Sequence, residues 1–241
     1  MNSFSFWVGI GAALGLWRIA RSSPQPYSTT LVNMGLFTLL CSLFGARLFY
    51  TWINYEYFSA HLIEIPQIWL GGLSWPGAVG GAWIAILSLP LTHHDSHGSR
   101  IPLGWIADRI YPLLPPLSIS IWLGCWSMGV AYGPALAEGT WWAIPSLDES
   151  GTFNLHWPLQ FLSALSLLVF FLLLELRLKR PRPTGLLAGL AAAGLLVHLF
   201  AASLLRADPD RFWGGIRADT WMATAYLALF FIMILFRMLV P

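Results

Sequence analysis

His156–Arg177 reads HWPLQFLSALSLLVFFLLLELR. Between Phe161 and Leu174 its only polar side chains are Ser163 and Ser166. A helix needs roughly 17–25 such residues to cross the hydrocarbon core of a bilayer, where each backbone polar group must be satisfied within the segment. Working outward, comparable runs occur at about 3–20, 29–53, 73–91, 184–205 and 219–240. A seventh, at about 102–121, carries Asp108, Arg109, Pro112, Pro115 and Pro116, so a kinked or broken helix is expected there. The chain reads as an all-α integral membrane protein of seven transmembrane helices, one polytopic domain over residues 1–241.

Composition agrees. Of 241 residues, 57% are hydrophobic and 10% charged, with a mean hydropathy of +0.66. Soluble domains average about 25% charged residues, so a soluble enzyme, a disordered chain and a nucleic-acid binder are all excluded. Cys41 and Cys125 lie in apolar surroundings and suggest no disulfide framework. The first apolar run has no basic residues before it and no small-residue cleavage site after it, so it reads as a retained helix.

Orientation follows from the basic residues. With the N-terminus outside, Arg18, Arg21, Arg100, Arg177, Lys179, Arg180, Arg182 and Arg237 fall at the cytoplasmic side, eight of 13. Glu56, Glu64, Glu138, Asp148, Glu149, Asp208, Asp210 and Asp219 fall outside, eight of 11. The expectation is N-out, C-in. The outer segments 54–72, 122–155 and 206–218 are respectively aromatic and acidic, Trp- and Gly-rich, and alternately charged around Phe212–Trp213. Tryptophans near span ends, such as Trp52, Trp69, Trp157, Trp213 and Trp221, suit the headgroup layer.

Few residues offer chemistry. Arg47 lies inside the second span, where an arginine costs at least ~2.5–3.5 kcal/mol and normally finds a partner. It is read either as a bidentate clamp on a phospholipid phosphate or as a snorkelling side chain. Asp108 and Arg109 point about 100° apart on a helix, which leaves Asp108 as a candidate partner of Arg47, for structure or for a ligand. Thr92-His93-His94-Asp95-Ser96-His97 has metal-ligand residue types but no metal-site spacing, and reads as a solvated loop. No metal site is expected. The glycine-rich stretches 71–81 and 124–134 lack the Lys-Ser/Thr of a phosphate loop. Their small residues let helices approach closely, or let backbone N–H groups face a headgroup. Cys125 has no basic neighbour in sequence to activate it.

These motifs, in this order, resemble the prolipoprotein diacylglyceryl transferase family, whose members move a diacylglyceryl group from phosphatidylglycerol to a prolipoprotein cysteine. Gly45-Ala46-Arg47-Leu48-Phe49-Tyr50 is similar to the family's G-[GA]-R-x-x-Y, and Trp69-Leu70-Gly71-Gly72-Leu73-Ser74 to its W-x-G-G-[ML]-S. Leu123-Gly124-Cys125-Trp126 through Gly129 and Tyr132-Gly133 resembles R-I-G-[NC]-F-x-x-G-x-x-[YW]-G. Trp157-Pro158-Leu159-Gln160 resembles H-P-[ST]-Q, and Arg206-Ala207-Asp208-Pro209-Asp210 resembles R-x-P-D. The resemblance implies phospholipid contacts at Arg47, Tyr50, Gly72, Gly77, Gly124, Gly129 and Gly133, with Asp108, Arg109, His156 and His198 as polar partners.

Other family positions differ. Pro76 stands at the histidine of H-G-G-L, Trp122 at the signature arginine and Val130 at an acidic position. Leu199 and Ser203 stand at the arginine and glutamate of R-F-x-x-E, with His198 one residue away. Since thiol transfer needs a base and a cation for the phosphate leaving group, these differences lead to an expectation of no catalytic residues. The expected protein is a non-catalytic relative that binds phospholipid without other cofactors. It would serve as a structural or accessory subunit among other membrane proteins. The alternative is an active transferase of a diacylglyceryl or other lipid group with relocated acid–base groups at His156, His198 or Asp108.

Overall fold

The computed structural model describes residues 3–25, 27–93, 98–147, 152–178 and 183–239. Residues 94–97 of the histidine-rich loop, Asp148, Glu149, Lys179, Arg180 and Arg182 lie outside these. Six helices are long and apolar enough to cross a membrane. They are α1 (Ser3–Ser22), α2 (Ser28–Ile53), α4 (Trp75–Thr92), α7 (Leu159–Arg177), α8 (Leu186–Leu205) and α9 (Ala218–Leu239). The short α3 (Tyr55–Ala60) follows α2.

The span expected at 102–121 is not one long helix. It is divided into α5 (Leu103–Ile110), a 3-10 turn at Tyr111–Leu113 and α6 (Leu114–Ser127). Pro112 at the break, with Pro115 and Pro116 just beyond, removes successive N–H donors from the helical ladder. The structure is helical, in keeping with an all-α integral membrane protein, and two short antiparallel hairpins stand beside the helices. One joins β1 (Ile144–Leu147) to β2 (Phe153–His156), and the other joins β3 (Phe212–Trp213) to β4 (Ile216–Arg217). Gly214 and Gly215, at φ 59° and 81°, make the turn of the second.

The chain groups into two compact units. One comprises Ala12–Leu114 and Pro183–Ala188, and the other Met1–Gly11, Pro115–Arg182 and Gly189–Pro241. In the first, Ile19, Leu31, Met34, Leu89, Ile106, Ile110 and Leu113 form a buried core. Beside it α2 and α4 pack backbone to backbone. A Cβ at Gly81 would strike the Cys41 carbonyl, and one at Gly77 would strike that of Gly45. Ser42 Oγ donates across to the Ala78 carbonyl at 3.0 Å. Small residues permit this contact where apolar burial alone does not drive helices together.

In the second unit the start of α1 lies on α6, with Ser3 Oγ donating to the Ser127 carbonyl at 3.2 Å. A Cβ at Gly124 would press on the Phe4 ring at 2.8 Å. Buried Leu167, Phe171 and Leu196 join α7 to α8 in its apolar interior.

Candidate functional site

In the first unit, Arg47 is 5% exposed and its guanidinium is met by backbone carbonyls. Nε donates to Ile65 O at 2.8 Å, Nη2 to Glu64 O at 2.6 Å, and Nη1 to Gly71 O at 2.6 Å and Gly72 O at 3.2 Å. The rings of Phe58 and Tyr50 lie 5.2 and 5.8 Å from its central carbon. The planar fork of five donors can collect four carbonyls from two stretches of chain. Arg47 thereby ties the segment 61–72 to α2. Gly72, at φ 71°, carries no side chain because a Cβ would run into Tyr50 and Arg47. Outside this clasp the Tyr57 hydroxyl donates to Glu64 Oε2 at 2.9 Å, and that bond raises the phenol's pKa.

Asp108 does not pair with Arg47. Its carboxylate accepts from Gly185 N and Ala188 N, each at 2.8 Å, capping the start of α8 where helical N–H groups lack partners. Gly104 leaves room for this joint, since a Cβ there would meet the Thr184 carbonyl at 2.8 Å. Arg109 lies over the Trp105 ring at 5.4 Å and donates to Ser22 O at 3.4 Å. Pro76 is buried at the start of α4, and Gly77 packs on α2.

The second unit buries several polar side chains. Ser118, Ser120, His156, Gln160, Ser163, Ser203, Asp208, Arg217 and Thr220 are all buried. Polar groups in such a place are costly unless bonded, and in a membrane bundle they usually mark function. Gln160 Nε2 donates to the Val130 carbonyl at 3.0 Å. Thr220 Oγ1 donates to Ser203 Oγ at 3.0 Å. The His156 and Tyr132 rings lie 4.4 Å apart, and Ala207 N donates to the Tyr132 carbonyl at 2.9 Å. Gly129, at φ 66°, starts the loop that carries Tyr132. In the same loop Ala131 takes φ 57°, a left-handed conformation strained for a side chain. A Cβ at Gly133 would meet Trp157 at 2.8 Å.

Five charged side chains form a network beside this loop. Arg206 forks onto Asp208, with Nε to Oδ1 at 2.8 Å and Nη2 to Oδ2 at 2.6 Å, and its Nη1 bonds Asp219. Arg217 Nη1 donates to the Asp208 carbonyl at 2.6 Å, and Nη2 lies 3.5 Å from Asp208 Oδ1 and from Asp210 Oδ2. Burial works against the charge on Arg206. The bond and charge of Asp208, with the charge of Asp219, outweigh it and leave the guanidinium's pKa raised. Sequence reading missed this network. Its signal was the alternation of charge across 206–219, but only the fold brings Arg206 to Asp219.

The remaining positions lie along the helices. Trp122 is buried on α6, edge-on to His198 with ring centres 5.6 Å apart, and Leu199 is half-buried on α8. His198 Nδ1 is 3.3 Å from Ser166 Oγ. His156 and His198 both belong to this unit; Arg47 and Asp108 belong to the other.

Residues 1–236 match the sequence profile of the prolipoprotein diacylglyceryl transferase family. A relative from Methylibium petroleiphilum is 27% identical, the match covering 92% of this chain and 88% of its own length. One from Neisseria gonorrhoeae is 27% identical over 90% of this chain and 83% of its own length. One from Nitrosomonas europaea is 29% identical over 89% and 76%. Each is named phosphatidylglycerol–prolipoprotein diacylglyceryl transferase. These matches overturn the non-catalytic reading: relatives aligned along nearly the whole chain carry the name of the enzyme, and nothing in the fold shows activity to be lost. The alternative drawn from the sequence, an active transferase, fits better. The chain belongs to the prolipoprotein diacylglyceryl transferase family.

Proposed function

We propose that this protein transfers the diacylglyceryl group of phosphatidylglycerol to the thiol of a prolipoprotein cysteine. The new C–S bond is a thioether. The glyceryl C–O bond to phosphate breaks, and glycerol phosphate leaves with the electron pair. The thiol proton goes to a base, since a free thiol of pKa ~8.5 is mostly protonated at neutral pH. The single observation that carries this reading is the extent of the family match, residues 1–236, alongside relatives bearing the enzyme's name over most of their length. The buried polar side chains support it, because an apolar bundle without chemistry has no need of so many buried hydrogen-bonding groups. His156 is buried against Tyr132, and this reading gives it the thiol proton. Arg206 holds the surrounding loop in position.

In this reading the chain crosses a bacterial inner membrane seven times, α5 and α6 together making the fourth crossing. The N-terminus is outside and the C-terminus in the cytoplasm, as the skew of basic residues supports. The membrane phospholipid is then a substrate and the prolipoprotein its acceptor.

The test is transfer itself. Purified protein is incubated with labelled phosphatidylglycerol and a lipobox peptide, and the thioether product is measured beside the Neisseria gonorrhoeae relative. Product is expected from both, and His156→Gln should lower the rate by about 10²–10⁴, the usual contribution of general acid–base catalysis. No product from this chain, under conditions where the relative turns over, would overturn the reading.

A further inference from the structure

Exposed apolar side chains run up one face of α2 at Leu40, Phe44, Leu48 and Trp52. On a helix that crosses a membrane such a face is turned to lipid. The apolar surface does not stop where α2 stops. Tyr55, Leu62, Ile63 and Trp69, in the segment that follows, are exposed as well.

That segment does not lead away from the bilayer. Ser74 N donates to the Ala46 carbonyl at 3.1 Å, so the chain has turned back to a level ~10 Å short of the end of α2 at Ile53. The 26 residues of α2 measure ~39 Å and overshoot a ~30 Å hydrocarbon core by ~4–5 Å at each end. Ala46 and Arg47 then lie about 5 Å inside the hydrocarbon boundary, and Arg47 holds the segment to that level.

Irregular backbone survives at such a depth only where its polar groups are satisfied without water. From His61 to Pro66 every carbonyl accepts a hydrogen bond from within the protein. The amides of Glu64, Ile65, Gln67 and Ile68 bond the carbonyls of His61, Leu62, Glu64 and Pro66. Gln67 Nε2 bonds that of Ile63 at 3.0 Å. Arg47 bonds those of Glu64 and Ile65, and further on those of Gly71 and Gly72. A loop in water has no such need, because water supplies the donors.

We propose that residues 61–72 form a re-entrant interfacial loop seated in the lipid leaflet at the end of α2. Leu62, Ile63 and Trp69 lie against the upper acyl chains, and the Arg47 guanidinium gives the loop's carbonyls the donors that water gives elsewhere. The depth matches the ~5–10 Å to which interfacial segments sink into a bilayer. The seating needs only the bilayer and stands apart from the transferase reading.

Ile63→Cys, in a chain carrying Cys41→Ala and Cys125→Ala, is labelled with a nitrobenzoxadiazole fluorophore and placed in phosphatidylcholine nanodiscs. Leu48→Cys on the lipid-facing side of α2, and Gln25→Cys, exposed between α1 and α2, serve as lipid and water references. The label at 63 is expected to be quenched by a lipid nitroxide near the head of the acyl chain more strongly than by one near its end. Aqueous iodide should quench it about tenfold less than the label at 25, a ratio equivalent to ~1.4 kcal/mol of preference for lipid. Arg47→Ala should reverse both results, since carbonyls left without donors draw the loop into water. Gln67→Leu, a milder variant that strips only the Ile63 carbonyl, should shift quenching the same way by less. Iodide quenching at 63 equal to that at 25 would overturn the seating. Shielding from both iodide and nitroxide would overturn it as well, and would mean that protein rather than lipid covers the loop. Quenching unchanged in both variants would overturn the part given to the internal donors.

Discussion

Replacing Arg47 by alanine should release the segment 61–72 and leave the α2–α4 pair intact. Four carbonyls lose a charged donor, those of Glu64, Ile65, Gly71 and Gly72. At ~1.5–3 kcal/mol for each hydrogen bond to a charged group, a simple sum gives ~6–12 kcal/mol. That sum is not reached, because the segment can detach and let water take the carbonyls. Leu62, Ile63 and Trp69 are 66%, 79% and 69% exposed, so little apolar burial holds the segment once the guanidinium is gone. The loss is then the free energy of local opening, about 3–5 kcal/mol, at the upper end for a single substitution. Lysine offers three donors from one nitrogen and cannot span both stretches, so Arg47→Lys should recover less than half. Hydrogen exchange reads this directly. Amides of 61–72 should exchange about 10²–10⁴-fold faster in Arg47→Ala, since each 1.4 kcal/mol is tenfold, while those of α2 around Leu31–Thr38 keep their protection. Unchanged exchange in 61–72, together with loss of bound phospholipid, would refute the clasp and restore Arg47 to a phosphate.

Further outcomes follow from other contacts. Gly81→Ala forces α2 and α4 apart and should cost ~3 kcal/mol or more in detergent thermal unfolding, as overpacking does; Gly9→Ala, with open space around it, should be neutral or stabilising by up to ~1 kcal/mol. A similar melting shift for both would defeat the close-packing argument. Asp108→Ala uncaps α8 and should cost ~1–2 kcal/mol, with Asp108→Asn losing about half as much; equal losses would mean that the carboxylate's charge matters more than its two acceptors. Arg206→Leu removes the guanidinium that bridges Asp208 and Asp219 and leaves the Asp208 carboxylate its longer contact with Arg217, a loss of ~3–5 kcal/mol. A loss below ~1 kcal/mol in thermal unfolding would contradict this.

What the sequence revealed and what it hid divide along one physical line. Apolar runs declare their own environment, so the helices at 3–22, 28–53, 75–92, 159–177, 186–205 and 218–239 begin and end within about three residues of expectation. Pro112 likewise announced the break in the helical run at 111–113. Partners do not declare themselves. Arg47 suggested a carboxylate or phosphate because those are the charged groups a sequence displays, yet it found backbone carbonyls, which every residue has. Asp108 found backbone amides for the same reason. Arg206 and Asp219 are thirteen residues apart with a hairpin between them, and the β3–β4 hairpin is too short to show any alternation.

The same line explains why the non-catalytic expectation failed. It compared side chains at matched positions, and a match of 27% identity fixes such positions only loosely. The stretch Arg206-Ala207-Asp208-Pro209-Asp210 already holds one residue more than the R-x-P-D it resembles. A one-residue shift on a helix moves a side chain by about 100°, so a histidine or arginine absent from its column need not be absent from the site. Catalytic groups are defined by geometry and role, and equivalent constellations occur at unrelated sequence positions. A bundle that had lost its chemistry would also be expected to lose the buried polar residues that chemistry required, because each costs stability unless bonded. Here Gln160, Ser203, Asp208, Arg217 and Thr220 remain buried and bonded to one another or to nearby backbone.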